Sequence, residues 1–149
     1  MKITAFIPAR MNSVRLPGKA LKEIDGLPMV VRVCRAAKDS GVFDAVFAAT
    51  DSPEIAEACR RHGFDVIMTG SAHETPTSRV AEAASRCESG LYAMIGGDEP
   101  LLTGEIIRNF VQQALPVLGD GTDTPSASPE KQPLFAAVSY THLTLPTKA

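Results

Sequence analysis

The chain has few cysteines, little net charge and no long apolar run, and each shortage excludes a class of protein. Three cysteines, far apart in 149 residues, fit neither a disulfide framework nor a CxxC zinc pattern, so we expect a reducing, cytoplasmic location. No run approaches the roughly 20 apolar residues that cross a bilayer, so no membrane partner is expected. The apolar stretch before Pro8 is too short for a signal peptide. A net charge of −2 argues against a nucleic-acid partner, whose phosphates demand many cations.

The composition is otherwise that of an ordinary globular protein. Hydrophobic residues make up 44% and charged residues 21% of the chain, which excludes wholesale disorder. A typical domain holds about 100–150 residues, so the length suits one hydrophobic core.

Short apolar runs rich in β-forming residues alternate with longer stretches of helical period. The predicted strands are Ile3–Ile7, Ala45–Ala49, Val66–Met68 and Leu91–Ile95. The predicted helices begin at Pro28 with a stop at Gly41, begin at Pro53 (capped by Ser52) and end before Gly63, cover Ser78–Cys87, and run from near Thr103 to just before Pro116. This alternation predicts an α/β fold, a doubly wound α/β/α domain of three layers around a mostly parallel sheet.

The composition changes near residue 118. We predict an α/β domain over residues 1–118, followed by a linker or loop over 119–133 that is rich in Gly, Asp, Thr, Ser and Pro. A further strand over Leu134–Tyr140 and a tail complete the region 134–149. The tail shows no helical or strand period, which predicts a truncated chain or a tail that is not native to the fold.

Polar and charged residues follow all four of the predicted strands. Ligands of an open parallel sheet bind beyond the carboxyl ends of the strands. The segments at those ends are Pro8–Lys19, Thr50–Asp51, His73–Arg79 and Gly96–Pro100. Their convergence at one edge predicts a common ligand site.

The first of these loops carries three cations, Arg10, Arg15 and Lys19, with a hydroxyl at Ser13 and a glycine at Gly18. Several cations and a close backbone approach are what a triphosphate needs. The loop matches neither the P-loop nor the GxGxxG pattern. Spacing alone therefore leaves two interpretations open, a phosphate site and a solvated surface loop.

Two further candidates have structural alternatives. Asp98 suits Mg²⁺, which usually takes one or two protein carboxylates together with substrate phosphates, but it equally suits a turn or a cap for the helix near Thr103. Thr77 and Arg79, at a helix start, suit an anion. An N-cap by Thr77 or Ser78 with an exposed Arg79 explains the same residues.

The segments Ile7–Arg10, Arg15–Lys19 and Gly97–Leu101 resemble the signatures of the 3-deoxy-manno-octulosonate (Kdo) cytidylyltransferase family, also called CMP-Kdo synthetases. The likeness covers roughly residues 1–118, the N-terminal portion of such an enzyme. It continues through Gly26–Val30, Ala49–Asp51, Met68–Thr69 and Ala81–Glu82. The resemblance implies the fold of nucleotide-diphospho-sugar transferases.

The resemblance also implies an activity. Family members are Mg²⁺-dependent nucleotidyltransferases that move CMP from CTP to Kdo or a related acidic sugar and release pyrophosphate, for lipopolysaccharide or surface-polysaccharide synthesis. The implied partners are CTP and the acidic sugar, and the full-length family form is expected to be a homodimer.

Roles carried over from the family fall on eight residues. The resemblance implies catalytic roles for Arg10, Lys19 and Asp98, with Asp98 as the Mg²⁺ ligand. The implied nucleotide-binding residues are Pro8 and Ala9 (backbone contacts to cytosine), Arg10, Ser13 and Lys19 (triphosphate), and Thr77 and Arg79. Such cations and a metal stabilise the charge that develops when the α-phosphorus is attacked.

Three departures from the family keep alternatives open. Pro76 replaces a glycine, which fixes φ and removes a donor. Gly96 replaces a glutamine expected to contact the sugar acid, so a related acidic sugar is an alternative. Family members continue well beyond residue 149, and that part ordinarily supplies another metal-binding Asp, sugar contacts and most of the dimer interface. Two other hypotheses are therefore a catalytically inactive nucleotide-binding fragment and an acylneuraminate-type cytidylyltransferase.

Overall fold

The computed structural model describes residues 2–12, 16–97, 101–118, 134–138 and 147–148. The strands are β1 Ile3–Pro8, β2 Glu23–Ile24, β3 Leu27–Pro28, β4 Ala45–Thr50, β5 Asp65–Met68, β6 Leu91–Ile95, β7 Leu134–Val138 and β8 Thr147–Lys148. The helices are a short 3-10 helix Lys19–Leu21 and the α-helices α1 Met29–Asp39, α2 Pro53–Arg61, α3 Pro76–Ala84 and α4 Gly104–Leu118.

Six of these strands form one sheet in the order β5-β4-β1-β6-β7-β8. The pairs β5–β4, β4–β1, β1–β6 and β6–β7 are parallel, and β8 pairs antiparallel with β7. Successive strands run outward from β1, first to β4 and β5 and then, on the other side, to β6 and β7. The predicted doubly wound sheet is confirmed. The carboxyl ends of β1 and β6 form its switch point, where open α/β sheets bind ligands.

Alternation along β1 assigns the two faces of the sheet. Ile3, Ala5 and Ile7 join one core with buried residues of α1, α2 and α4. Phe6 points to the other face, where it packs with Val80 of α3. All six β1 residues are buried, as expected for a parallel strand covered on both sides. The three-layer arrangement is therefore confirmed.

Local signals fix the ends of α1 and α2. The Ser52 hydroxyl accepts the N–H of Ile55 at 3.2 Å, which confirms the predicted cap of α2. Gly41 and Gly63 follow the two helices with φ of 72° and 84°, a conformation that glycine adopts without strain. Pro28 is not the first residue of α1 as predicted, because it pairs in the β2–β3 hairpin.

The bounds of α3 differ from the prediction at both ends. The helix begins at Pro76 because Thr75, and not Thr77 or Ser78, is the cap: its Oγ1 accepts the N–H of Ser78 at 3.1 Å. It ends at Ala84 and not at Cys87, because the next backbone bonds tighten to three-residue spacing, as in Cys87 N–H to Ala84 O.

The end of α4 was also predicted wrongly. The helix continues through Pro116 to Leu118. A proline removes one helical hydrogen bond, the one to the carbonyl four residues earlier. That carbonyl belongs to Gln112, a residue on the exposed side of the helix.

The C-terminal part is described only in its strands. β7 lies inside the predicted strand Leu134–Tyr140, and β8 is an element that periodicity did not predict. The predicted linker 119–133 lies outside the described residues, and the division into domains stays a prediction. Across the described ranges, no helix has the length and apolarity needed to span a membrane.

Candidate functional site

A crevice of about 190 Å³ opens at the carboxyl ends of β1 and β6. Of the residues predicted from the sequence, it is lined by Pro8, Ala9, Arg10, Lys19 and Arg79. Four of them belong to the segment Pro8–Lys19 and Arg79 to α3, and the parallel sheet brings the two segments to one edge. The predicted convergence of strand ends is therefore confirmed for these five residues.

A backbone hydrogen bond brings the two ends of the first loop together. The N–H of Gly18 donates to the carbonyl of Met11 at 2.8 Å, and Gly18 has a φ of 73°, where a Cβ would be strained. Arg10 precedes this bridge and Lys19 follows it, and both line the crevice. Ser13 lies outside the described residues, so its triphosphate contact stays a prediction.

Residues at and just beyond the ends of β1 and β6 line the crevice, and we refer to them as its floor. The N–H of Ala9 donates to the carbonyl of Ala49 at 3.0 Å, so this N–H already has a partner within the sheet. Gly97 packs so closely that an added Cβ would lie 2.7 Å from the Pro8 oxygen. Asp98 follows Gly97 in the sequence but lies outside the described residues, so its metal role stays a prediction.

Arg79 is not exposed, as the alternative interpretation of its segment expected, but buried, with 4% of its surface accessible. Its Nη1 donates to Thr69 Oγ1 at 2.6 Å and to the Gly70 carbonyl at 3.2 Å. It also lies 3.4 Å from Asp51 Oδ1. A buried guanidinium requires such partners, because desolvation penalises an unpaired charge.

Thr77 is placed differently from the other predicted residues. It is exposed on the first turn of α3 and is not among the described residues that line the crevice. Its predicted neighbours Thr75 and Pro76 line the crevice instead. The role of Thr77 stays a prediction.

His73 lines the crevice and was missed as a site residue. Its Nε2 lies 3.0 Å from Glu82 Oε1 and its Nδ1 3.1 Å from Ser78 Oγ. Glu82 Oε1 also accepts the N–H of Gly70 at 3.0 Å. That backbone hydrogen bond and the one with His73 lower the pKa of Glu82. The signal that could have identified His73 was its place just beyond a strand end.

A second, more polar crevice of about 300 Å³ adjoins the first. The two share Arg10, His73 and Arg79 in their walls. The second crevice adds the carboxylates Asp51 and Glu54. The site therefore has cations between the two spaces and acids on one outer side, which suits an anionic ligand held at the shared wall.

No group of three or more His, Cys, Asp or Glu side chains that could hold a metal occurs among the described residues. Mg²⁺ bound with a nucleotide does not need such a group, since it takes one or two carboxylates and completes its shell with phosphate and water. The donor set predicted here, one aspartate and a triphosphate, is of that kind.

Comparison with known proteins places this geometry in a family. The sequence profile of the cytidylyltransferase family matches residues 4–125. The chain belongs to the cytidylyltransferase family. The resemblance inferred from the loop after β1 is thereby confirmed.

Curated relatives of this cytidylyltransferase-family chain include proteins named 3-deoxy-manno-octulosonate cytidylyltransferase. The protein of Geobacter metallireducens is 48% identical over 107 residues, which are 72% of this chain and 42% of the relative. That of Gemmatimonas aurantiaca is 42% identical over 115 residues, or 75% of this chain and 45% of the relative. The chain thus spans less than half the length of these relatives.

Two solved structures share the fold. One is a CMP:2-keto-3-deoxy-manno-octonic acid synthetase complexed with CTP, with a TM-score of 0.73 and 35% identity over 76% of this chain and 47% of the other. The second, a nucleotidyl transferase from Methanothermobacter, has a TM-score of 0.68 and 16% identity over 76% of this chain and 58% of the other. The latter likeness concerns the fold alone.

Proposed function

We propose that this chain is the CTP-binding part of a cytidylyltransferase that transfers CMP to Kdo or a related acidic sugar and releases pyrophosphate. The observation that carries the proposal is the crevice at the switch point, where Arg10, Lys19 and Arg79 meet. Their placement suits a triphosphate, since two cations of the loop after β1 and one of α3 line one space. The similarity to a synthetase complexed with CTP supports the nucleotide.

Arg10 and Lys19 are proposed to act on the phosphates during catalysis. The anomeric oxygen of the sugar attacks the α-phosphorus, the bond from that phosphorus to the bridging oxygen breaks so that pyrophosphate departs, and the proton of the sugar hydroxyl passes to solvent water. Negative charge grows on the bridging and leaving oxygens. Fixed cations stabilise this charge more strongly in the transition state than in the bound substrate.

The floor of the crevice suits cytosine. Pro8 has no N–H and the N–H of Ala9 is bonded to Ala49, so these residues offer carbonyl oxygens, which accept hydrogen bonds. The exocyclic amino group of cytosine donates, whereas the oxygen of uracil at that position accepts. We therefore propose that Pro8 and Ala9 favour CTP over UTP.

Asp98 is proposed to hold Mg²⁺ together with the triphosphate. When bound, the ion would neutralise phosphate charge as a Lewis acid. Ser13 and Thr77 are proposed as additional nucleotide contacts from the loop after β1 and from the start of α3. These three residues complete the proposed site.

CTP binding by the purified chain tests the proposal. Isothermal calorimetry with Mg²⁺ should show CTP bound more tightly than UTP, and Arg10→Ala should weaken CTP binding. Equal affinity for the two nucleotides would contradict the proposed base contacts. No binding of either would contradict the function.

The alternative raised by the sequence, a nucleotide-binding fragment without turnover, predicts CTP binding at the same crevice but no reaction. Pyrophosphate release with CTP, Mg²⁺ and Kdo separates the two. Release shows a transferase, and CTP binding without release for any of several sugar acids shows the fragment. An acylneuraminate-type activity is not favoured, since the curated relatives described above carry the Kdo name.

The setting of the reaction is also a proposal. The product would serve lipopolysaccharide or surface-polysaccharide synthesis, and the full-length form would be a homodimer. The free state of Cys34, Cys59 and Cys87 supports a reducing, cytoplasmic location.

A further inference from the structure

Asp51 and Arg79 form an ion pair between the two crevices. Asp51 Oδ1 lies 3.4 Å from Arg79 Nη1, and the exposed fractions of their side chains are 30% and 5%. Asp51 lines the second crevice, whereas Arg79 lines both. Asp51 therefore contacts Arg79 from the side of the second crevice and does not line the first.

Three acceptors converge on one nitrogen of Arg79. Nη1 faces Thr69 Oγ1, the Gly70 carbonyl and the Asp51 carboxylate. Within the described residues, the two hydrogen bonds and the ion pair of the Arg79 side chain all involve Nη1. These contacts hold Nη1 in place while Arg79 lines the first crevice, and a guanidinium has further donors on its other two nitrogens with which to bind an anion.

The backbone around Asp51 is itself held firmly. Thr50, the last residue of β4, is fully buried, and its Oγ1 accepts the N–H of Ser52 at 3.1 Å. Ser52 in turn caps α2. Asp51 lies between the end of a strand and the cap of a helix, so its carboxylate is presented from a rigid support.

We propose that Asp51 is a positioning residue that directs the guanidinium of Arg79 toward the nucleotide phosphates in the first crevice. The inference rests on the proposed function, since it assigns Arg79 an anionic ligand. Asp51 does not bind that ligand, because its charge has the wrong sign. Thr69 shares the task as the neutral acceptor at 2.6 Å.

The sign of a mutational effect tests this role. If Asp51 acted only through its electrostatic field, Asp51→Asn would remove a repulsive charge and strengthen CTP binding. If Asp51 positions Arg79, the variant weakens CTP binding about tenfold, the loss expected when one charge-assisted hydrogen bond is misplaced. The matched control is Glu57→Gln, which removes an exposed carboxylate paired with Arg61 on α2 and leaves affinity unchanged.

A double-mutant cycle separates positioning from a general structural effect. With CTP affinity measured by calorimetry, Asp51→Asn should have no further effect in the Arg79→Gln background. Thr69→Val keeps the shape of the side chain but removes an acceptor of Arg79 Nη1. It should also weaken CTP binding by itself and have no further effect in the Arg79→Gln background. This variant tests the inference if Asp51→Asn does not fold. Melting temperatures of all variants report that loss.

Each outcome decides the inference. Weaker binding that disappears in the Arg79→Gln background supports it. Unchanged or tighter binding of Asp51→Asn, or an equal loss in both backgrounds, overturns it while the proposed function stands. Wild-type protein that binds no CTP overturns the proposed function and the inference together.

Discussion

Gly97 lies against Pro8 without room for a side chain: an added Cβ would be 2.7 Å from the Pro8 carbonyl oxygen and 3.3 Å from Ile7 Cγ2. The Pro8 oxygen belongs to the backbone of a strand, so it cannot move aside as the end of a flexible side chain can. The close approach joins the ends of β1 and β6, which form the floor of the crevice.

Gly97→Ala should therefore separate these strand ends and weaken CTP binding, with a loss of stability of about 1–3 kcal/mol from overpacking. Calorimetry and urea unfolding measure the two effects. Gly104→Ala is the matched comparison, because its Cβ would lie 2.9 Å from Ser40 N, between α1 and α4. It should destabilise the fold without a specific loss of CTP affinity, and similar affinity losses in both variants would contradict the assignment.

Arg10→Ala and Lys19→Ala should each weaken CTP binding by about 1.5–3 kcal/mol, since each removes a charge-assisted contact. Lys22→Ala is the control, an exposed cation three residues beyond Lys19. Calorimetry at two salt concentrations should also show a smaller salt dependence for the first two variants than for the wild type. If Lys22→Ala weakened CTP binding as much as Arg10→Ala and Lys19→Ala do, the cations would act only through their general positive charge and not through specific contacts with the phosphates.

Glu82 links folding stability to pH. Because its pKa in the folded protein is lowered by the Gly70 N–H and His73 hydrogen bonds, it stabilises the fold above its unfolded pKa of about 4.3, and that contribution is lost as the pH falls through the folded value. Glu82→Gln should lower the free energy of unfolding at pH 7, and its deficit should shrink below about pH 4.3. Urea unfolding at several pH values measures this.

The control for that experiment is Glu88→Gln, which changes an exposed glutamate near the start of β6. Its unfolding curve should follow that of the wild type across the pH range. A Glu82→Gln deficit that does not depend on pH would assign the residue a packing role alone.

The three thiols should differ in reactivity. Cys34 and Cys59 are buried and Cys87 is half-buried. A hydrogen bond with Cys59 and burial raise the pKa of Cys34, which keeps its thiol protonated and unreactive. Titration with a coloured thiol reagent should find one fast thiol in native protein and three in urea, and Cys87→Ser should abolish the fast phase.

The central strands could be predicted because a strand covered on both faces appears as a continuous apolar run, as Ile3–Ile7 shows. The start of α3 could not, since several neighbouring hydroxyls suit a cap and only the folded chain selects Thr75. The bounds of helices were thus the weakest part of the fold prediction.

The candidate site was predicted where a strand end and an unusual cluster coincide, as at Arg10 and Lys19. His73 carried no pattern of its own, and its place in the crevice depends on its contact with Glu82. The burial of Arg79 depends on Asp51 and Thr69, which lie on other segments. Such pairings arise from sheet order and cannot be found from local spacing.

The bond between the Gly18 N–H and the Met11 carbonyl closes the segment between them into a ring. Arg10 and Lys19 lie just outside that ring, next to Met11 and Gly18. Their separation is therefore set by this hydrogen bond and not by the number of residues within the ring. A related chain with more or fewer residues in the enclosed segment would therefore keep the spacing between the two cations, as long as this hydrogen bond forms.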